Sequence, residues 1–74
     1  MTEIELDATG LLCPLPVLKA RKRLQSLVSG DVLTLIASDP ASVIDVPHFC
    51  GETGHALLSR EARGGLHIFR IRRR

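Results

Sequence analysis

Asp7-Ala8-Thr9-Gly10-Leu11-Leu12-Cys13-Pro14-Leu15-Pro16 lies between two stretches of different hydrophobic period, and that change of period decides the fold. Before it, Glu3-Ile4-Glu5-Leu6-Asp7 alternates polar and apolar residues, the pattern of a half-buried strand. After it, Val17, Ala20, Leu24, Leu27 and Val28 recur at helical spacing, with Lys19, Arg21, Lys22 and Arg23 mostly on the other faces. The stretch itself contains a turn at Thr9-Gly10 and then two prolines. Proline suits the first turn of a helix, where its missing N–H would lack a partner anyway. Pro14 and Pro16 therefore read as helix-start residues, with Cys13 at or near the N-cap.

Working outward, Ser29-Gly30-Asp31 stops the helix, with Gly30 suited to its C-terminal end. Val32-Leu33-Thr34-Leu35-Ile36-Ala37 is a nearly continuous apolar run, which suits a central or doubly covered strand. Strand, helix and strand at this spacing predict a right-handed βαβ unit with parallel strands. Ser38-Asp39-Pro40 repeats the helix-start chemistry, with Asp39 as cap and Pro40 in the first position. A second helix is predicted over Ala41 to Thr53, interrupted by a kink or restart at Pro47, with Asp45 as a second cap and Gly54 as its end. His55 to Ala62 reads as a third strand, Arg63-Gly64-Gly65 as a hairpin turn, and Leu66 to Arg72 as an alternating fourth strand. The predicted fold is an α/β (α+β) two-layer sandwich of order β-α-β-α-β-β, a mixed four-stranded sheet with two helices on one face. Residues 1–74 are expected to form a single domain. The chain shows no internal repeat, low-complexity segment or linker.

Seventy-four residues lie near the lower limit for a self-sufficient core. The apolar content, 45%, is mostly aliphatic, with two Phe and no Trp or Tyr. Two cysteines are too few for a disulfide scaffold, no N-terminal run resembles a signal peptide, and no segment approaches the length of a membrane span. These features lead us to expect a cytoplasmic, reducing setting, where a cysteine in a special frame reads as catalytic or redox-active. The net charge of +2 argues for no particular partner.

Cys13 is the candidate nucleophile. A helix start carries partial positive charge, which favours a thiolate and commonly lowers a cysteine pKa. Pro14 and Pro16 offer no N–H, so only Leu15 and Val17 supply backbone donors in the first turn. We therefore expect a moderately activated thiol on a stiff backbone. Asp7 is a candidate cap or orienter of the Cys13 loop, and Gly10 is expected to supply a backbone shape that other residues resist. Sulfur transfer would fit these residues: it is thiolate attack on sulfur, and with an activated donor it needs neither metal nor general base. Cys50 reads as a small buried hydrophobe. His48, Cys50 and His55 match no strong metal-ligand spacing, so neither a metal nor a cofactor is expected. His55, at a helix-to-strand junction, reads as structural.

The residues Leu6-Asp7-x-x-Gly10-x-x-Cys13-Pro14-x-Pro16 resemble the TusA/SirA-like sulfur carriers, and Cys-Pro-x-Pro is specific in this context. The resemblance continues through Gly30-Asp31, Ser38-Asp39-Pro40, Asp45-Val46-Pro47-x-Phe49-Cys50, His55 and the paired terminal strands, so it covers essentially the whole chain. It implies the same β-α-β-α-β-β sandwich. It also implies that Cys13 accepts a sulfane sulfur as a persulfide and passes it on. The implied partners are a sulfur donor protein, such as a cysteine desulfurase or rhodanese, and a downstream sulfur-acceptor protein. In one branch of the family the relay ends in 2-thiouridine in tRNA; other members are associated with sulfur oxidation, molybdenum cofactor assembly or selenium metabolism. One departure stands out: members typically carry an acidic residue between the two prolines, and here it is Leu15. That position borders the sulfur and bears on which partner docks.

Two basic groups complete the reading. Lys19, Lys22 and Arg23, with Leu15, are candidate partner-docking residues on the first helix. Arg60, Arg63, Arg70, Arg72, Arg73 and Arg74 gather on the terminal hairpin. The alternative to a sulfur carrier is a non-catalytic regulatory module that binds protein or RNA through this Arg-rich hairpin. Without aromatics to stack bases on, direct nucleic-acid binding is the weaker idea. A third possibility, a redox pair of Cys13 and Cys50, would require their sulfurs to reach bonding geometry.

Overall fold

The alternation at the start of the chain forms β1 (Glu3–Ala8), with Ile4, Leu6 and Ala8 turned inward and Glu3, Glu5 and Asp7 outward. The computed structural model describes residues 2–74. The helical period then gives α1 (Leu15–Gln25), followed by β2 (Val32–Ala37), α2 (Ser42–Thr53), β3 (Ala56–Arg63) and β4 (Leu66–Arg72). This is the predicted element order. The strands lie in the order β1-β2-β4-β3, with β1 parallel to β2 and the other pairs antiparallel.

The core is one layer between sheet and helices. Leu33 and Leu35 of β2 and Phe69 and Ile71 of β4 are fully buried on one face of the sheet. Ala20 and Leu24 of α1 and Val46, Phe49 and Cys50 of α2 meet them there, so both helices cover the same face. The opposite face mixes apolar and charged residues: Val32, Ile36 and Ile68 lie there, and Arg70 reaches across from β4 to pair with Glu3 of β1 at 3.2 Å. Gly64 and Gly65 form the two-residue hairpin loop, with φ of +55° and +82°. A two-residue loop with both φ positive matches the right-handed twist of the strands it joins, and glycine takes that shape without steric penalty.

Three local expectations are corrected. Helix α1 ends at Gln25, and Val28 is 67% exposed instead of joining the apolar face. The Ser26 hydroxyl donates to the Arg23 carbonyl, and the Val28 N–H donates to the Asp31 carboxylate, which turns the chain early towards β2. Helix α2 runs without a break through Pro47, so the predicted restart does not appear. Pro47 withholds one N–H, but it stands well inside a helix that is held to the sheet by Val46, Phe49 and Cys50. Asp45 consequently caps no second helix.

The carboxyl ends of both helices are tied to the last residues of the chain. The Arg73 Nε donates to the Leu24 carbonyl at 2.8 Å, and the Arg74 guanidinium donates to the Thr53 carbonyl at 3.1 Å. Each cation lies where a helix leaves carbonyls unpaired and its dipole is negative. The Arg74 backbone N–H donates to the His55 Nδ1 at 3.0 Å, and the His55 ring lies 5.7 Å from that of Phe49. Among the described residues, no helix is long and apolar enough to cross a membrane.

His55 connects this clamp to pH. Burial, and then the charges of Arg73 and Arg74, lower its pKa below the ordinary 6.5. The unfolded chain therefore binds the proton first, and His55 contributes stability that is present above about pH 6.5 and lost as pH falls through the lowered value. Thermal melts across this range should show the melting temperature falling on acidification, with a shallower fall in His55→Gln. Equal slopes for the two proteins would contradict this assignment.

Candidate functional site

Parallel pairing places two loops at one edge of the sheet. Ala8 at the end of β1 stands opposite Ala37 at the end of β2, so the segments that follow leave side by side. The first carries Cys13 and the second carries Ser38-Asp39-Pro40. Open α/β sheets commonly place their ligands at the carboxyl ends of parallel strands, because the loops there converge.

The Cys13 loop is shaped from within and then tied to its neighbour. The Asp7 carboxylate accepts from both the Thr9 N–H, at 2.9 Å, and the Thr9 hydroxyl, at 2.6 Å. These bonds hold the Asp7 pKa below the usual carboxylate range. The chain then turns at Gly10, whose φ of +81° favours glycine, and the Gly10 N–H donates to the Ser38 hydroxyl at 2.8 Å. Asp39 makes the second tie with both carboxylate oxygens. One accepts from the Cys13 N–H at 2.5 Å and the other from the Ala41 N–H at 3.1 Å. The sequence reads Asp39 as the cap of the second helix, but the N-cap of α2 is Ala41 with no side-chain cap bond; Asp39 instead closes the turn before it and anchors the cysteine loop, which its local context did not reveal.

Cys13 is exposed, one residue before Pro14, which is the N-cap of α1. The Cys13–Pro14 peptide is cis. Pro16 is buried, whereas Leu15 and Leu18 are about half exposed and Leu12 is 68% exposed. Leu11, Leu15 and Leu18 share a shallow groove with Lys19 and Lys22. Lys19, Lys22 and Arg23 border a second depression, with Leu6 and Ser26. The candidate docking residues therefore lie together on the exposed face of α1. A separate groove of about 260 Å³ between α1 and α2 is lined by Cys13, Pro14, Val17, Asp45, His48 and Phe49, with Arg21, Glu52 and Thr53 further along. His48 and Glu52 pair with one another across one turn of α2.

The expected activation of the thiol is overturned. Cys13 has its pKa raised, first by a hydrogen bond to the Asp45 side chain, then by desolvation and by the charges of Asp45 and Asp39. The helix-end cradle is also thinner than the sequence suggests. Pro14 and Pro16 have no N–H, and the Leu15 N–H donates to the Leu12 carbonyl at 2.8 Å. Cys50 is 4% exposed within the core, and burial raises its pKa. Both cysteines are free, and Cys50 does not line the groove that Cys13 opens onto. Among the described residues, no group of three or more His, Cys, Asp or Glu side chains is arranged to hold a metal ion.

Local sequence reading missed the part played by Ser38, Asp39 and Asp45 around Cys13. A signal existed for the first two: a parallel βαβ unit carries the loops after its two strands to the same edge. No local pattern points from Asp45 to the thiol.

Comparison with known proteins agrees with this geometry. Residues 4–73 match the family described as sulfurtransferase TusA, and the chain belongs to that family. The chain is similar to the sulfur carrier protein TusA of Allochromatium vinosum, with 48% identity over 69 residues, 93% of this chain and 91% of the relative. It is also similar to a putative sulfur carrier protein of Neisseria meningitidis, with 46% identity over 66 residues and 89% of each chain covered. The crystal structure of a SirA-like protein from Desulfitobacterium hafniense shares the fold with a TM-score of 0.82 and 28% identity, over 93% of this chain and 95% of that one.

The Asp39 tie makes a measurable claim. Asp39→Ala should speed amide hydrogen exchange at Cys13 by roughly tenfold, the scale of one charge-assisted hydrogen bond near the surface. The amides of β2 and β4 should be far less affected. Unchanged exchange at Cys13 would show that the loop holds its shape without Asp39.

Proposed function

We propose that this protein is a sulfur carrier in which Cys13 takes up a sulfane sulfur as a persulfide and delivers it to an acceptor protein. The observation that carries this reading is the exposed Cys13, held on a doubly anchored loop at the carboxyl edge of the parallel strands. Membership of the TusA family supports it. An exposed sulfur on a stiff loop can enter the active site of a second protein, and attack on the outer sulfur of a donor persulfide needs no resident metal. The protein then acts as a relay with Cys13 as its reacting group, rather than as a turnover enzyme. Its donor is a cysteine desulfurase or rhodanese, and its acceptor is a sulfur-transfer protein, with thiolated tRNA as one end product. A reducing cytoplasm keeps the thiol available.

Docking falls to the outer face of α1. Leu12, Leu15 and Leu18 provide apolar area beside the sulfur, and Lys19, Lys22 and Arg23 surround it with positive charge. This surface suits a partner with an apolar centre and an acidic rim. The rival reading, a regulatory module binding through the arginine-rich hairpin, loses much of its surface. Arg63 pairs with Glu61, Arg70 with Glu3, and Arg73 and Arg74 hold helix ends.

Intact mass spectrometry after incubation with a cysteine desulfurase, pyridoxal phosphate and cysteine tests the carrier reading. The wild type should gain the mass of one sulfur atom and lose it to dithiothreitol, and Cys13→Ser should gain none. A Cys13 that stays unmodified with desulfurase, thiosulfate and polysulfide would defeat the proposal. Reversing the charges of Lys19, Lys22 and Arg23 should slow loading by a donor protein, and the wild-type rate should fall as salt rises. Loading at an unchanged rate would remove the docking surface from the account.

A further inference from the structure

The α1–α2 groove contains a carboxylate that the carrier role leaves unexplained. Asp45 is half-buried on α2 and lines the same groove as Cys13. Asp39, the other nearby carboxylate, commits both oxygens to backbone N–H groups. Among the described residues, the Asp45 carboxylate accepts no backbone hydrogen bond. The remaining charged groups facing this space are Arg21 on α1 and the paired His48 and Glu52 on α2.

We infer that Asp45 is a positioning residue that distinguishes the two states of the carrier, holding the unloaded Cys13 thiol in the groove and repelling the loaded persulfide out of it. The inference rests on the carrier reading above. A thiol can donate to a carboxylate, so the unloaded side chain is retained. A persulfide is a stronger acid than its parent thiol, because the adjoining sulfur helps to spread the charge. At neutral pH its outer sulfur is an anion and has no proton to donate. Placed beside Asp45, with Asp39 also near, it meets like charge and turns towards solvent.

The chemical step balances without an oxidant or reductant. The Cys13 sulfur bonds to the outer sulfur of the donor persulfide, and the sulfur–sulfur bond of the donor breaks. The donor leaves as a thiolate and takes up the proton that Cys13 gives up. The new persulfide then releases its own proton to solvent. Asp45 shifts this equilibrium in one direction at both ends, stabilising the thiol and destabilising the persulfide anion. Its effect is to ease delivery.

Two readouts on wild type, Asp45→Asn and Asp45→Glu test this, with circular dichroism to establish that each variant is folded. The first is the pH dependence of Cys13 alkylation. Removing the Asp45 charge should move the midpoint to lower pH, and Asp45→Glu should stay near wild type. The second is the loaded fraction at equilibrium with a fixed mixture of a small persulfide and its thiol, read by intact mass. Asp45→Asn should raise the loaded-to-unloaded ratio about fivefold, on the scale of one unit charge close to an exposed group. An unchanged alkylation midpoint overturns the inference, as does a shifted midpoint with an unchanged loading ratio. A wild type that alkylates normally yet never loads defeats the carrier reading instead, and with it the persulfide half of the inference.

Discussion

Parallel pairing of β1 with β2 is the constraint on which the site depends. Two parallel neighbours end at the same edge, so the chain must leave both strands there and return by way of a helix. Ala8 opposite Ala37 sets the two departing loops side by side. Ser38 and Asp39 then supply oxygens to N–H groups that the Cys13 loop could not satisfy by itself. A shift of this register would separate the anchors from the cysteine and turn every inward side chain of β1 to the other face.

Around the thiol, two electrostatic effects compete, and the number of groups on each side decides between them. The positive end of a helix arises from its unpaired N–H groups. In α1 two of the leading positions are proline and the Leu15 N–H is already bonded. Against that depleted dipole stand two whole carboxylate charges, those of Asp45 and Asp39. The carboxylates prevail, and the Cys13 pKa is raised instead of lowered.

The basic residues divide by role according to what lies beneath them. Arg70 spans the open face of the sheet to Glu3, and Arg73 and Arg74 satisfy carbonyls at the ends of α1 and α2. These arginines join elements distant in sequence. Lys19, Lys22 and Arg23 lie on the exposed side of α1 and are available to a partner. The two basic groups of the sequence thus differ in space: the terminal arginines tie elements together, and those of α1 stand exposed.

The order of the elements, the inward positions of the strands, the hairpin at Gly64-Gly65 and the exposed place of Cys13 just before a helix start were legible in the sequence. Each depends on residues close together in the chain, through hydrophobic period, proline at a helix start or glycine in a turn. The end of α1 was less legible, because Asp31 and Ser26 draw the chain out of the helix before its apolar pattern stops. The continuity of α2 through Pro47 was hidden too, since packing against the sheet outweighs one missing N–H. Only the tertiary structure decided the charge around the thiol. Asp39 lies 26 residues from Cys13 and Asp45 further still, and their meeting depends on β1 and β2 pairing in parallel. Period and propensity act along the chain, whereas a pKa answers to whatever charge the fold brings near.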